Sequence, residues 1–168
     1  TNSQLWWDDG VQAGSRNLVL SLESDNAGFM AWALQQENLC RFIEDHKNLR
    51  LYGEWLVPHT LKTYDAKAWK NYYVFDVCDE VGHYLSYPEY SQLLEPYNIN
   101  YIPPICIIEN PTRKRLIELL DKNTYLIEDG KGSGEGIVIK NYEYRNKYGR
   151  TVWAKIVKNE FKAKHSRI

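Results

Sequence analysis

The chain has 168 residues, 43% of them hydrophobic and 26% charged, so it can build a core and is not a disordered segment. Lys and Arg number 21 against 22 Asp and Glu, so any nucleic-acid site must be a local cluster rather than bulk positive charge. No apolar run approaches the ~18–20 residues that span a bilayer, which argues against a membrane protein.

A hairpin is predicted first, because Asp9-Gly10 between residues 5–8 and 11–13 suits the positive φ angles of a type I′ turn. A helix is predicted over residues 26–46, where apolar side chains fall roughly at helical spacing and Ser24, Asp25 or Asn26 is available as a cap. The later predicted elements are strands at 49–57 and 72–79, a helix at 90–97, a buried strand at 105–108, a helix at 113–120, and a closing hairpin at 136–144 and 151–157. This order lacks the regular alternation of a parallel sheet, so we expect an α+β fold with mainly antiparallel strands and flanking helices.

The cysteines and the two ends of the chain indicate its context. Cys40, Cys78 and Cys106 are widely spaced and lack CxxC pairing, so they support neither a zinc site nor a disulfide framework, and a reduced, cytoplasmic compartment fits best. The start at Thr1 does not resemble a signal peptide. Together with the basic stretch over 158–167, it is typical of a piece of a longer polypeptide.

A glycine-rich stretch leads into the sequence Glu135-Gly136-Ile137-Val138-Ile139-Lys140. A phosphate-binding P-loop is a poor fit, because these glycines precede a strand rather than a helix. One interpretation is a flexible loop before an edge strand. The other uses strand alternation, which puts Ile137 and Ile139 on one face and Lys140 on the opposite face, where a ligand can bind.

The last predicted strand carries Lys155 and Lys158 among apolar residues. A lysine in such a strand is usually an edge residue whose ammonium group reaches solvent. Together with Lys140, however, these lysines would form a compact phosphate clamp. An ideal strand places Lys155 and Lys158 on opposite faces, so both reach one ligand only through a bulge or a strand end near Val157.

Two further side chains have both a structural and a functional interpretation. Glu54 lies in a strand of large apolar residues, where it needs either a cross-strand ion pair or a ligand such as a ribose diol. Phe75 is either a core residue or an aromatic platform for a base.

Taken together in chain order, these segments resemble the covalent nucleotidyltransferase superfamily and, within it, the ATP-dependent RNA ligases of the phage type. The segments that carry the resemblance are Ser15-Arg16-Asn17, Tyr52-Gly53-Glu54, Val74-Phe75-Asp76, Glu135 to Lys140 and Ala154-Lys155-Ile156-Val157-Lys158. The resemblance implies a nucleotidyltransferase (ATP-grasp-like ligase) domain over 1–161. A basic tail at 162–168 would then lead toward a possible C-terminal domain.

The resemblance also implies a reaction. In the family, a lysine amine attacks the α-phosphorus of ATP with a divalent metal, Mg²⁺ or Mn²⁺, and AMP then passes to an RNA 5′-phosphate before a 3′-hydroxyl seals the strand. By matched position, the resemblance implies that Lys155 and Lys158 contact the α-phosphate and that Lys140 is the motif lysine of the preceding strand. It implies that Glu54 binds the ribose, Phe75 stacks on adenine and Glu135 binds the metal. Arg16 would bind the phosphate of the RNA end, and Asn2 would contact that end or the α-phosphate. His59 and Lys62 lie in a loop that is either substrate-binding or plain surface.

One feature of the family pattern lies outside the chain. The nucleophilic lysine of the family stands in a Lys-x-(Asp/His)-Gly segment directly before Thr-Asn, which here is Thr1-Asn2. We therefore expect that segment upstream of Thr1. The alternatives are a nucleotide- or RNA-binding module without a nucleophile, or a relative of the DNA ligases or capping guanylyltransferases. The sequence does not indicate the oligomeric state.

Overall fold

The computed structural model describes residues 1–58 and 63–161. The chain divides into two compact units, one formed by Thr1–Pro58 and Lys70–Ile102, the other by His59–Trp69 and Pro103–Ile168. Both contain antiparallel strands and short helices, which confirms the α+β prediction. Within the described ranges, no helix is long and apolar enough to cross a membrane.

The first unit is built on a four-stranded antiparallel sheet. Its strands are β1 (Asn2–Trp7), β2 (Val11–Ser15), β3 (Leu49–Leu56) and β4 (Asn71–Asp79), in the spatial order β2-β1-β3-β4. The predicted first hairpin is confirmed, with φ angles of 51° and 133° at the two turn residues Asp9-Gly10. Alternation gives this sheet one face toward the helices and one face that carries polar side chains.

The predicted helix over 26–46 is two helices, α1 (Phe29–Ala33) and α2 (Glu37–Asp45). Buried Ala33 and Leu39 are six residues apart, a spacing that places them on different sides of one continuous helix. The break between the helices lets both apolar faces pack on the sheet. The main core contains Leu5, Ala13, Leu51, Val74 and Val77 from the strands and Phe29, Ala33, Leu39, Phe42 and Ile43 from the helices.

The helix predicted over 90–97 begins earlier than expected. Helix α3 spans Tyr87–Leu94, and a 3-10 turn at Glu95–Tyr97 follows. Its start is fixed by Ser86, whose backbone N–H and hydroxyl both donate to the Glu89 carboxylate at 2.7 Å. The Ser-x-x-Glu spacing of a capping box was therefore the signal that marks this helix start.

The second unit contains a short helix packed on a two-stranded sheet. Helix α4 (Arg113–Leu119) continues into a 3-10 turn (Leu120–Lys122), and β5 (Gly136–Ile139) pairs antiparallel with β6 (Ala154–Val157). The closing hairpin is thus confirmed with shorter strands than predicted. Its small core consists of Leu119, Leu120 and Ile137, with Leu116, Ile139 and Ile156 packed against them.

The prediction of a buried strand at 105–108 is wrong. The structure assigns no strand to this described segment, and Ile107 is 86% exposed. Pro103 and Pro104 precede the segment and Pro111 follows it. Because proline has no N–H to donate to a ladder, sheet pairing ends before it, at the parallel bridge between Val74 and Tyr101.

Candidate active site

A row of polar side chains crosses the open face of the first sheet. Asn2 on β1 pairs in register with Glu54 on β3, and Arg16 directly follows the end of β2. The Asn2 amide, oriented to satisfy both neighbours, donates to Glu54 Oε2 at 3.2 Å and accepts from the Arg16 guanidinium at 3.2 Å. Asn2 therefore links Glu54 and Arg16, and the three residues were predicted from separate motifs.

A cavity of about 630 Å³ lies beside this row and is lined by Asn2, Arg16 and Glu54. Its volume falls in the range of small-molecule binding sites. The remaining lining is mostly polar and comes from the chain start, the end of β2 and the loop before α1: Thr1, Ser15, Asn17, Leu18, Leu20, Ser24, Asp25 and Asn26. The mixture of a guanidinium, carboxylates, amides and hydroxyls suits a ligand that has both phosphate and hydroxyl groups.

The loop before α1 is held firmly against this cavity. The Asp25 carboxylate accepts from the backbone N–H groups of Met30 and Ala31 at 2.9 and 3.0 Å. It therefore satisfies two N–H groups of the first helical turn, although the N-cap position itself is Gly28. The next residue, Asn26, donates from its side chain to Thr1 Oγ1 at 3.2 Å. The sequence predicted this pair only as possible helix caps and gave no signal of its place at the cavity.

Position 53, directly before Glu54, is a glycine because the Tyr72 ring lies over it. A Cβ at this position would lie 2.5 Å from the Tyr72 ring and 2.7 Å from the Tyr73 carbonyl oxygen. The Tyr72 hydroxyl crosses the sheet and donates to the Ser3 carbonyl at 3.1 Å. Burial, and secondarily the charge of Glu54, raises the pKa of Tyr72 well above its ordinary value, so the hydroxyl keeps its proton and this bond.

Phe75 is the extra residue of a β-bulge. In the pairing of β3 with β4, Tyr52 faces Asp76 whereas Gly53 faces Val74, so the register passes over Phe75. Phe75 is half-buried, whereas Val74 and Asp76 are buried. A bulge changes the direction of a side chain and is frequent near active sites, which fits the prediction that this aromatic has a function. The signal in the sequence was only the motif.

The second unit carries the predicted lysines and Glu135. Ile137, Ile139 and Ile156 pack on α4, so the alternation predicted for these strands is correct. Lys155 pairs in register with Val138 on the opposite face and is exposed. Lys140 continues the same face two residues beyond Val138, with its ammonium 5.6 Å from the centre of the Trp153 ring.

Lys158 follows the end of β6 and has different partners. Its ammonium forms an ion pair with Asp121 Oδ1 at 2.6 Å and donates to Ser133 Oγ. Only 18% of the Lys158 side chain is exposed. The structure thus places Lys155 and Lys158 in different surroundings, with Lys158 bound to the 3-10 turn and to the glycine-rich loop.

The acidic groups bear on the question of a metal ion. Within residues 1–58 and 63–161, no group of three or more His, Cys, Asp or Glu side chains is arranged to hold a metal. The acidic side chains of these residues therefore do not fit a metal ion whose ligands all come from the protein. They do fit Mg²⁺ or Mn²⁺ bound through one or two carboxylates together with nucleotide phosphates and water.

Comparison with known families identifies the arrangement. The family model described as RNA ligase matches residues 1–157. The chain belongs to the RNA ligase family. This match confirms the resemblance inferred from the motifs and covers both units. No curated protein matches the chain.

Solved RNA ligase structures share the fold at low identity. A mutant of Naegleria gruberi RNA ligase with AMP and Mn superposes on the chain with a TM-score of 0.74 at 18% identity. Another mutant of this ligase, with ATP and Mn, superposes with a TM-score of 0.67 at 18% identity. Each match covers 98% of this chain and 48% of that structure. The same ligase with PPi gives a TM-score of 0.64 at 18% identity and covers 99% and 49%. The chain therefore spans about half the length of these RNA ligases.

The RNA ligase motifs thus fall in two groups. Asn2, Arg16 and Glu54 are joined by hydrogen bonds in the first unit, which also holds Phe75. Glu135, Lys140, Lys155 and Lys158 are in the second unit, at β5 and β6. His59 and Lys62, and the basic tail at 162–168, lie outside the described residues.

Proposed function

We propose that this chain is the adenylyl-transfer part of an ATP-dependent RNA ligase that joins RNA 5′-phosphate and 3′-hydroxyl ends. The observation that carries the proposal is the hydrogen-bonded row of Glu54, Asn2 and Arg16 beside a cavity of about 630 Å³, in a chain of the RNA ligase family. The Naegleria structures of the same fold contain ATP, AMP or PPi. This supports ATP as the nucleotide.

The nucleophile of the proposed reaction is a lysine in a segment preceding Thr1 in the full-length protein. Its neutral amine attacks the α-phosphorus of ATP, a P–N bond forms, the bond to the β-phosphate oxygen breaks, and pyrophosphate leaves. An oxygen of the RNA 5′-phosphate then attacks the same phosphorus and releases the lysine. The 3′-hydroxyl finally displaces AMP and forms the phosphodiester.

Residues of the first unit bind sugar and phosphate in this proposal. The half-buried Glu54 carboxylate accepts from the ribose hydroxyls, and Asn2 keeps that carboxylate and Arg16 in fixed positions. Arg16 is exposed at the cavity, where its planar guanidinium binds the 5′-phosphate of the RNA end. Phe75, at the bulge of β4, stacks on adenine.

Residues of the second unit neutralise charge. Lys155 is the exposed lysine of β6 and donates to the α-phosphate, with Lys140 on the same strand face. Lys158 is the weaker candidate for this contact, because its ammonium already has a carboxylate partner in Asp121. Glu135 would hold Mg²⁺ or Mn²⁺, and the metal would supply positive charge to the phosphates.

A role in RNA repair and a cytoplasmic location complete the proposal. The three cysteines have no disulfide partners in the described chain, which suits a reducing compartment. The partners are RNA ends.

A sealing assay tests the function. The full-length protein is incubated with ATP, Mg²⁺ and a labelled RNA that carries either a 5′-phosphate or, as the matched control, a 5′-hydroxyl. We expect joined product from the phosphorylated RNA alone. In parallel reactions with DNA in place of RNA, or GTP in place of ATP, more efficient joining of DNA would favour a DNA ligase, and covalent transfer of GMP would favour a capping enzyme. Nucleotide binding without covalent transfer would favour a binding module and contradict the proposal.

A further inference from the structure

The backbone of Gly134, Glu135 and Gly136 is held by hydrogen bonds at each of the three residues. The Gly134 N–H donates to the Asn123 carbonyl at 2.7 Å, and the Asn123 side chain donates to the Gly136 carbonyl at 2.6 Å. Between them, the Glu135 carbonyl accepts from the Lys158 N–H at 2.9 Å. One asparagine therefore binds the residues directly before and after Glu135.

Close packing explains why both of those residues are glycine. A Cβ at Gly134 would lie 2.7 Å from the Asn123 side-chain nitrogen, and one at Gly136 would lie 2.1 Å from the Ile156 carbonyl oxygen. A side chain at Gly136 would push the segment away from β6, whereas one at Gly134 would displace the Asn123 side chain. The approach of Asn123 and of β6 therefore determines the backbone position from which the Glu135 side chain extends.

Asn123 is itself held in place by the core of the second unit. It directly follows the 3-10 turn Leu120–Lys122, and its N–H donates to the Leu120 carbonyl at 3.4 Å. Leu119 and Leu120 are buried in the same cluster as Ile137. The turn is therefore a rigid support for the segment rather than a passing loop contact.

A second tie joins the same turn to the glycine-rich loop. Lys158 binds Asp121 of the turn and Ser133, the residue before Gly134. Gly130 and Gly132 in that loop have φ angles of 78° and 90°, which other residues adopt with difficulty. The side chains of Asn123 and Lys158 thus both hold the C-terminal end of this loop, at Gly136 and Ser133, after glycines that would otherwise give it freedom.

We propose that Asn123 is a positioning residue, which holds Gly134 and Gly136 so that the Glu135 carboxylate is directed toward the divalent metal of the bound nucleotide. This inference rests on the proposed function for the presence of that metal. Groups that orient a metal-binding side chain typically change metal affinity by ~10–100-fold when removed. Asn123→Ala removes the side-chain bond to Gly136 and keeps the backbone bond to Gly134.

The test compares Asn123→Ala and the isosteric Asn123→Asp, which cannot donate to the Gly136 carbonyl, with the wild-type full-length protein. Asn146→Ala is the matched control, because Asn146 also holds backbone N–H groups, those of Tyr148 and Arg150, in the turn between β5 and β6. The measurements are the Mn²⁺ concentration that gives half-maximal AMP transfer, AMP binding without chemistry, and hydrogen–deuterium exchange of the peptide containing Gly134–Gly136.

We expect both Asn123 variants to need about 10-fold more Mn²⁺, with AMP binding unchanged and faster exchange across Gly134–Gly136. Asn146→Ala should leave the Mn²⁺ requirement unchanged. In a Glu135→Gln background, Asn123→Ala should add no further change to it. An unchanged Mn²⁺ requirement in a folded Asn123 variant overturns the positioning role alone. Failure of the wild-type protein to take up AMP overturns the proposed function instead. In that case, equal exchange in Asn123→Ala and wild type shows that Asn123 does not hold the Gly134–Gly136 segment.

Discussion

Gly53→Ala should damage both the stability of the first unit and its nucleotide site. The added methyl carbon would lie 2.5 Å from the Tyr72 ring and 2.7 Å from the Tyr73 carbonyl oxygen, where ordinary contacts are above 3.4 Å. Tyr72 is 2% exposed and packs on Phe29 with ring centres 5.0 Å apart, so the ring has little room to move away. Overpacking of this kind costs ~1–3 kcal/mol of folding free energy. Because the Tyr73 carbonyl is fixed, we expect a cost for Gly53→Ala of about 3 kcal/mol.

Relief of the clash must therefore come from the backbone of β3, which carries Glu54 as its next residue. Urea unfolding should show a loss of about 3 kcal/mol, and the affinity for ATP should fall beyond what the unfolded fraction explains. Gly14→Ala is the matched control, because its Cβ would meet the Trp6 ring at 3.0 Å and the Leu18 carbonyl at 3.1 Å, a milder contact. In a Tyr72→Leu background, Gly53→Ala should cost clearly less. Wild-type stability and ATP affinity in Gly53→Ala would refute the reasoning.

Four other substitutions test the candidate roles of Lys155, Lys158 and Phe75 and the capping of α3 by Ser86. Lys155→Ala should slow single-turnover AMP transfer by ~10²–10³-fold, whereas Lys158→Ala should mainly loosen the glycine-rich loop; equal transfer by Lys155→Ala and wild type would remove that strand from the site. Phe75→Ala should weaken ATP use by roughly ten- to a hundredfold if the ring stacks on adenine, and normal adenylation by the folded variant would make it a structural residue. The bonds from Ser86 lower the pKa of Glu89 below its ordinary 4.5, so their stabilisation is present above that pH and is lost as the pH falls through the lowered value. Ser86→Ala lacks the hydroxyl bond, so its loss of stability relative to wild type, measured by thermal unfolding, should become smaller in acid. A loss of stability that does not depend on pH would contradict the capping role of these bonds.

The sheet could be predicted from the sequence because its signals are local. The Asp9-Gly10 turn and the β-branched and aromatic content of the segments were enough to place β1 to β4. The bounds of β3 and β4 agree within one residue, whereas β1 begins three residues earlier and β2 ends two residues later than predicted. The break between α1 and α2 was not predicted, because helical spacing alone does not show that two apolar faces must reach different parts of a sheet. The prediction of a strand at 105–108 was wrong, because the three prolines near this segment prevent sheet pairing despite its apolar composition.

The candidate site was predictable only as a set of motifs. Glu54, Arg16 and Asn2 are far apart in sequence, and their hydrogen bonds depend on the register of three strands. Asn123 carries no motif at all, because its importance comes from the shape of the turn that presents it to Gly134–Gly136. The Phe75 bulge likewise needs the pairing with β3, which no single segment encodes.

The intact mass of the full-length protein after incubation with ATP and Mg²⁺ tests the central claim most directly. We predict a mass increase of one AMP on a lysine upstream of Thr1, which disappears when 5′-phosphorylated RNA is added and persists with 5′-hydroxyl RNA. Glu54→Gln should reduce the adduct, since that residue is proposed to hold the ribose. A wild-type protein that binds ATP but gains no mass at saturating nucleotide and metal would contradict the ligase account.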